Sequence, residues 1–515
     1  IRTMGDKSAA RRLANELGVP IVPGYDRIAA ANPSDAALRR AAKRIGLPLL
    51  IKPAAGGGGK GMRIVRTLDG FADALAGVRR EALAAFADDR LILERLIEGP
   101  RHVEVQLLFD ARGNGVHLGE RDCSIQRRHQ KVLEESPSPA VNVKTRKQLT
   151  DWSLAIGRAV GYVGAGTCEF LLGDGGDAYF LEMNARLQVE HPVTEAVTGR
   201  DLVADQLRIA AGEPLGFGQG EIASRGHAIE VRLYAEDAES GFLPATGRIE
   251  ALEWPAGEGI RVDAGVGLRT EVGGRFDPML AKIIAHGPDR PEALARLAGA
   301  LDRTVVQGLT TNLRFLRWLV RQPLVMAGEA RIDSLEQTWP PADWAAQSAI
   351  PDSAWEAAAR ALGAGGWRLN APPTVRLSAE GIEHPTTVQR DGPPEADRHD
   401  PRVAVAGPVA HVDVGGRSVA ITAAAPPDVD RAARAAAAHA HAGGPSEITA
   451  PMPGAVVAVH VALGDTVEPG DPLLTLEAMK MEHVVAATDL GRVSEIHVRA
   501  GAQVTRGQLV VVVEA

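Results

Sequence analysis

Thr167-Cys168-Glu169-Phe170-Leu171-Leu172-Gly173-Asp174-Gly175-Gly176-Asp177-Ala178-Tyr179-Phe180-Leu181-Glu182-Met183-Asn184 is a pair of apolar runs divided by glycines. Such a pattern predicts two strands folded back on a turn. With Gly175-Gly176 as a two-residue turn, Glu169 faces Glu182 across the hairpin, and cross-strand Cβ atoms lie ~5 Å apart. Two carboxylates so placed repel unless a cation lies between them, and hard oxygen donors of this kind suit Mg2+ or Mn2+. From Glu182 onward the polar residues keep step: Glu182, Asn184, Arg186, Gln188 and Glu190, with Met183, Ala185, Leu187 and Val189 between them. Extended backbone would put all five on one face. There Arg186 could fork onto a planar oxyanion, and Glu190 could take a proton from it.

Upstream, Lys52-Pro53-Ala54-Ala55-Gly56-Gly57-Gly58-Gly59-Lys60-Gly61 follows the strand-like Leu49 to Ile51 and precedes the strand-like Arg63 to Val65. Consecutive glycines let backbone N–H groups close over an anion, and lysines add compact charge for phosphate. Gly61 stands where a Walker loop requires Ser or Thr, so the stretch reads as a flap between two strands. Helix-period segments (Lys7 to Leu17, Phe71 to Phe86) alternate with strand-like ones (Leu49 to Lys52, His102 to Phe109) up to about residue 340, which is the α/β pattern. Arg232, within Glu230-Val231-Arg232-Leu233-Tyr234, is a second guanidinium on a strand-like run.

Past Trp339-Pro340-Pro341 the texture changes to proline-punctuated segments, predicting a module of short strands and loops over about 345–440. The Ala-rich run from Arg431 to Gly444 reads as a helix or tether. The last stretch contains an internal repeat: a shift of 37 carries Gly454 onto Gly491, Val456 onto Val493, His460 onto His497, Gly464 onto Gly501 and Val467 onto Val504. Neither copy can bury its apolar face alone, so the two should pack as a small β-sandwich. Met479-Lys480-Met481 lies at the junction of the copies, where a lysine would occupy an exposed turn.

At roughly 100 to 200 residues per domain, a chain of 515 residues holds about three or four domains. A net charge of −8 gives no electrostatic reason to expect nucleic acid or an anionic membrane as a partner. No apolar run approaches the ~20 residues that span a bilayer. Cys123 and Cys168 alone make no disulfide framework, which favours a reducing compartment.

Taken together, Met4-Gly5-Asp6-Lys7, the glycine loop, Arg127-Arg128-His129-Gln130-Lys131 and Glu182 to Pro192 resemble the ATP-grasp and C-terminal portions of biotin carboxylase, and Ala478-Met479-Lys480-Met481 resembles a biotin attachment site. The whole chain is similar to the α subunits of acyl-CoA carboxylases of the propionyl-CoA or 3-methylcrotonyl-CoA type. The resemblance implies four units: an α/β (α+β) ATP-grasp domain over 1–205, a biotin carboxylase C-terminal domain over 206–340, a mainly β subunit-docking and linking domain over 341–445, and an all-β biotinyl, lipoyl-like hammerhead domain over 446–515. It also implies a Rossmann-like domain ahead of Ile1. It puts ATP on Lys7, Lys52, Gly56, Gly57, Gly58 and Gly59, on Glu94 to Ile97 at the adenine, and on His102, Gln126 and His129. Metal, Mg2+ or Mn2+, falls to Glu169, Glu182 and Asn184. Bicarbonate falls to Lys131, Arg186, Gln188 and the Val189 backbone, with Glu190 as base, Arg232 stabilising the biotin enolate, and biotin itself on Lys480. The implied activity is ATP-dependent carboxylation of protein-bound biotin by way of carboxyphosphate. The implied partners are a carboxyltransferase β subunit in a hetero-oligomer and a biotin protein ligase, in the cytoplasm or the mitochondrial matrix. Two other readings are a catalytically incomplete carrier charged by another subunit, and pyruvate carboxylase, whose barrel domain has no residues left for it between 341 and 446.

Overall fold

Strands that carry the acidic residues lie side by side in one antiparallel sheet of eight. Their order across it is Ile260–Ala264, Met279–Gly287, His227–Tyr234, Gln130–Ser136, Gly115–Arg127, Arg101–Phe109, Gly164–Leu172 and Ala178–Asn184. The computed structural model describes residues 4, 7–25, 33–54, 62–86, 88–127, 130–173, 175–363, 373–388, 402–425, 445–478 and 481–514. The division expected at 205/206 runs through the large sheet, because His227–Tyr234 pairs with Gln130–Ser136.

Both faces of the central strands are covered. Val103, Val105, Leu107 and Phe109 pack in one cluster with Leu149 and Ile156 of the helix Val143–Ala159. That helix starts where Asn142 Oδ1 accepts from Thr145 N at 2.9 Å, satisfying one of its free amides. A Cβ on Gly115 or Gly157 would come within 2.0 Å and 2.4 Å of the Phe109 ring, so only glycine lets the ring lie between strand and helix. On the other face lie His102, Glu104 and Gln106, beneath the loop 185–190 and the helix His191–Thr198.

A smaller antiparallel sheet, in the order Gly24–Tyr25, Leu91–Arg95, Leu49–Pro53 and Arg63–Val65, packs on the helices Asp35–Ile45 and Phe71–Phe86 through Leu38, Leu49, Ile51, Phe71, Leu75 and Leu93. Ile51 lies opposite Arg63, so the two strands flanking the glycine stretch are neighbours as expected. Residues 55–61 between them lie outside the described ones.

The hairpin keeps its expected facing pair by a different route. Its ladder runs Leu172↔Ala178 and Phe170↔Phe180, then slips, and Glu169 pairs with Glu182. The connection is therefore the longer loop 173–177, in which Gly173 N donates to Asp177 O at 2.8 Å and Gly176 N to Gly173 O at 3.1 Å. A bulge at Leu181 restores the register that a two-residue turn would have set.

The module after residue 341 has the expected short strands and, in addition, a helix that was not expected. Its sheet of five, in the order Ile382–Thr387, Thr374–Ala379, Arg417–Ala423, Val409–Val414 and Val403–Ala406, packs around a helix, Asp352–Ala361. Ala354, Ala358 and Ala359 are fully enclosed there with Trp355. The alanines read as filler in sequence because small side chains carry little periodic signal, yet they are what lets strands approach a helix on several sides.

The repeat forms the expected sandwich, with copies interleaved. One sheet is ordered Ser446–Thr449, Leu509–Glu514, Gly491–Ile496, Thr466–Val467, and the other Met481–Ala486, Pro472–Ala478, Gly454–Val459, Gln503–Val504. Gly454 pairs with Val504 and Gly491 with Val467, the same contact made twice under the 37-residue shift. The tether region 426–444 lies outside the described residues.

Candidate active site

Three carboxylates converge on one ammonium. Lys131 Nζ lies 2.6 Å from Glu104 Oε2, 3.2 Å from Glu169 Oε1 and 2.5 Å from Glu190 Oε1. Arg232 takes the other oxygen of Glu190 (Nη2 to Oε2, 3.1 Å) and reaches back to Glu134 Oε1 at 2.5 Å. Beneath them Arg121 is 0 % exposed. It donates to Glu104 Oε1 (2.5 Å), Gln106 Oε1 (2.7 Å), Thr194 Oγ1 (3.0 Å), Thr167 Oγ1 (3.3 Å) and Gln188 Oε1 (3.1 Å). A guanidinium withdrawn from water is tolerated only when its donors are met this completely.

Glu169 is the second hub. Its Oε1 accepts from Gln188 Nε2 at 2.7 Å and Asn184 Nδ2 at 2.9 Å, and His102 Nε2 stands 3.1 Å from its Oε2. Gln126 Nε2 lies 2.6 Å from His102 Nδ1, which orients the ring. Burial opposes the charge on Glu169, but Lys131, His102 and Gln188 together hold it well below the ordinary carboxylate range. Glu190 behaves alike: burial is outweighed by Lys131, Arg232 and Arg121, and its pKa is lowered. It also precedes the first turn of His191–Thr198, where the helix favours negative charge. Burial disfavours the Lys131 ammonium, yet the anions around it, Glu104, Glu169 and Glu190 among them, push its pKa well above the usual lysine value.

The predicted residues fall into two groups. His102, Gln126, Lys131, Glu169, Glu182, Asn184, Gln188, Glu190 and Arg232 come together on the large sheet and the loop above it. Lys52 and Glu94 meet on the small sheet, where Glu94, opposite Leu50 in register, forms ion pairs with Lys52 and Arg11. Ile97, half-buried, lies just beyond that strand. The Val189 carbonyl accepts from Lys282 Nζ at 2.7 Å. Gly56, Gly57, Gly58, Gly59, His129 and Lys480 lie outside the described residues, as does the side chain of Lys7. The ladder beside Lys480 ends at Ala478↔Met481.

One geometric expectation fails. The strand ends at Asn184, and residues 185–190 form a loop, so Glu182 to Glu190 do not share one extended face. Gln188 and Glu190 reach the cluster because the chain turns, whereas Arg186 is exposed with Nη1 3.3 Å from Leu187 O. Sequence reading also missed Arg121, Glu104, Gln106, Glu134 and Lys282. The alternation His102-Val103-Glu104-Val105-Gln106 carried a signal for Glu104 and Gln106, but alternation of that kind normally marks a strand with one wet face.

The oxygen chemistry suits a hard dication. Glu169 and Glu182 are cross-strand neighbours, and Lys131 and His102 beside Glu169 favour its ionised form. His102, Glu104 and Glu169 also bring one ligand-type atom each within 4.8 Å of one another.

Residues 6–217 match the family model of the carbamoyl-phosphate synthase L chain ATP-binding domain, 230–337 the biotin carboxylase C-terminal domain, and 446–513 the biotin-requiring enzyme domain. The chain is 37% identical to the mitochondrial methylcrotonoyl-CoA carboxylase subunit alpha of Arabidopsis thaliana, over 98% of this chain and 79% of that protein. It is 35% identical to the mitochondrial propionyl-CoA carboxylase alpha chain of Mus musculus, over 100% and 77%. Among solved structures, the biotin carboxylase domain of Hydrogenobacter thermophilus 2-oxoglutarate carboxylase, in complex with MgADP, ADP and bicarbonate, superposes with a TM-score of 0.63 at 40% identity, covering 65% of this chain and 74% of that one. A buried acid–base cluster on the large sheet and a domain built from a sequence repeat thus stand in one polypeptide, and the chain belongs to the α subunits of biotin-dependent acyl-CoA carboxylases, which are ATP-dependent ligases.

Proposed function

We propose that the Lys131–Glu190–Arg232 cluster is where bicarbonate is activated for the ATP-dependent carboxylation of biotin carried on Lys480. The observation that carries this reading is the clamping of both Glu190 oxygens, one by Lys131 and one by Arg232, next to the ionised Glu169. A carboxylate so clamped is a weak base. Anionic substrates compete for the same two cations, and as Lys131 and Arg232 turn toward them, Glu190 recovers the basicity to accept the proton of bicarbonate. The freed oxygen then attacks the γ-phosphorus of ATP, the bond from phosphorus to the ADP oxygen breaks, and carboxyphosphate forms. Lys131 and Arg232 offset the charge that develops. Arg186 joins the bicarbonate site by rotating away from Leu187 O, while Gln188 is already held between Arg121 and Glu169.

Mg2+ or Mn2+ on Glu169 and Glu182, with Asn184 beside them, would supply positive charge to the ATP phosphates. Biotin on Lys480 would supply the ureido nitrogen that takes up the carboxyl group. We assign ATP to Lys52, Glu94, Ile97, His102 and Gln126 of the described residues, with Lys7, the loop Gly56 to Gly59 and His129 completing the set. The fourfold division at 205, 340 and 445 is likewise a proposal, its first two units sharing a sheet.

A carboxyltransferase β subunit is the partner, as the names of the relatives imply. We propose in addition a biotin protein ligase acting on Lys480, and a hetero-oligomer. No helix among the described residues is long and apolar enough to cross a membrane. A reducing compartment, cytoplasm or mitochondrial matrix, suits the free thiols Cys123 and Cys168, both buried, the second pushed up to about 12 by burial; the plant and mouse relatives are mitochondrial. The carrier-only and pyruvate carboxylase readings are not favoured. Incubating the chain with ATP, Mg2+, bicarbonate and free biotin tests the assignment. ADP release that requires biotin is expected, and release indifferent to biotin would contradict it.

A further inference from the structure

Behind Arg232 the sheet holds a carboxyl group that no step above uses. Glu230 lies two residues before Arg232, directly across from Glu134 on one neighbouring strand and from Ile284 on the other. It is 0 % exposed, and neither of its carboxyl oxygens has a hydrogen-bond partner among the described residues. Glu134 is equally buried. Its Oε1 accepts from Arg232 Nε at 2.6 Å and lies 2.5 Å from Nη2, while its Oε2 is also unpartnered. Directly opposed residues of this kind bring Cβ atoms to ~5 Å, so the two side chains are within reach of each other.

The charged groups around them are already engaged. Lys282, opposite Arg232 in register, holds Val189 O at 2.7 Å and lies 3.3 Å from Asp263. Arg121 holds Glu104, and Arg232 is shared by Glu134 and Glu190. On the covering helix, His191 Nδ1 lies 2.7 Å from Gln188 O, and Glu195 accepts from Leu202 N and Arg261. Two ionised carboxylates side by side here would be both desolvated and mutually repelling. Burial and then Glu134 hold the Glu230 carboxyl well above its ordinary range. Glu134 is raised too, mainly by burial, but Arg232 opposes the rise, so the proton belongs on Glu230.

We propose that Glu230 is a neutral carboxylic acid in the working protein, donating its O–H to Glu134 Oε2 and so acting as a positioning residue that fixes the Arg232 guanidinium beside Glu190. The functional half rests on Arg232 serving the reaction; the protonation does not. If Glu230 loses its proton, it becomes a third anion competing for Arg232, which is drawn away from Glu190. Activity should therefore fall as pH rises through the Glu230 pKa.

Infrared difference spectroscopy of the intact chain near neutral pH, wild type against Glu230→Gln, reads the proton directly. The carbonyl stretch of a protonated carboxylic acid is expected in the wild type and lost in the variant. In parallel, Glu230→Gln, which keeps an uncharged donor, should lie within about threefold of wild-type kcat and lose the alkaline fall. Glu230→Leu should lose about tenfold or more in kcat, with KM for ATP held within about twofold. Absence of the acid band from the difference spectrum, or a Gln variant as impaired as the Leu variant with the wild-type pH profile, would overturn the proposal. A wild type that releases no ADP would defeat the functional reading above, while the infrared band still decides the state of Glu230.

Discussion

The strands Arg101–Phe109 and Gly491–Ile496 both mix polar with apolar residues, strictly in turn only over His102 to Leu107 and Arg492 to Ser494, and the molecule uses them in opposite ways. In the carrier domain Val493 is buried, Arg492 and Glu495 are exposed, and the alternation sorts core from water. In the catalytic sheet Val103 and Val105 are buried, and so are His102, Glu104 and Gln106 on the other face. The same period builds a sandwich in one place and a dry ionic cluster in the other. The difference lies in what covers the polar face. Stability in the carrier domain should come from apolar area, whereas in the catalytic sheet it depends on every charge keeping its partners.

The largest effect expected from this contrast is on chemistry. Glu190→Gln removes the proposed base but leaves the proposed ATP residues untouched, so biotin-dependent ADP release should fall by about 10²- to 10⁴-fold with ATP binding by calorimetry retained. Unchanged turnover would remove Glu190 from that role. Next is Arg121→Met, which takes from buried Glu104 one of its two cations, leaving it Lys131 alone, and removes the donor to Gln106, Thr167, Thr194 and Gln188; it should cost about 3–5 kcal/mol, read as a lowered denaturation midpoint of the large sheet. A loss under 1 kcal/mol, of the size seen for surface ion pairs, would break the comparison. In the carrier domain, Leu474→Ala should cost about 2–5 kcal/mol from lost apolar burial, with faster amide exchange confined to residues 446–514 of the intact chain.

The smallest effect is the pH dependence of stability, and its two limbs have opposite origins. Glu169 and Glu190 are held below the ordinary 4.5, so their stabilisation is present above that value and is lost as pH falls through their folded pKa values. Glu134 is raised to about 7, and Glu230 is raised as well. Their contribution is present at low pH and is lost as pH rises through the folded values, toward and beyond about 7. Amide exchange across this range should therefore show loosening of the catalytic sheet at both ends and a flatter response in 446–514. Identical profiles in the two regions would contradict the contrast.

What could be read in advance follows the same line. The carrier domain was legible because its repeat and its alternation both report burial of apolar surface, which is the strongest signal a sequence carries. The facing of Glu169 and Glu182 was also legible, although the loop 173–177 and the bulge at Leu181 that produce it were not, since glycine runs permit several turns. Glu190 and Gln188 reach the site through a loop that periodicity cannot describe. Arg121, Glu104 and Glu134 remained hidden because a charged residue in a strand reads as solvent-facing until the opposite layer is known. The helix Asp352–Ala361 was lost among alanines, whose small size is a packing property and not a periodic one.

The central claim is that one polypeptide both activates bicarbonate and collects the product on its own arm. It is tested most directly by incubating the intact chain, with biotin on Lys480 verified by mass, with ATP, Mg2+ and radiolabelled bicarbonate. The account predicts label retained on the protein only when ATP is present, lost in Lys480→Ala and reduced in Glu190→Gln. Label that appears without ATP, or that survives in Lys480→Ala, would contradict it.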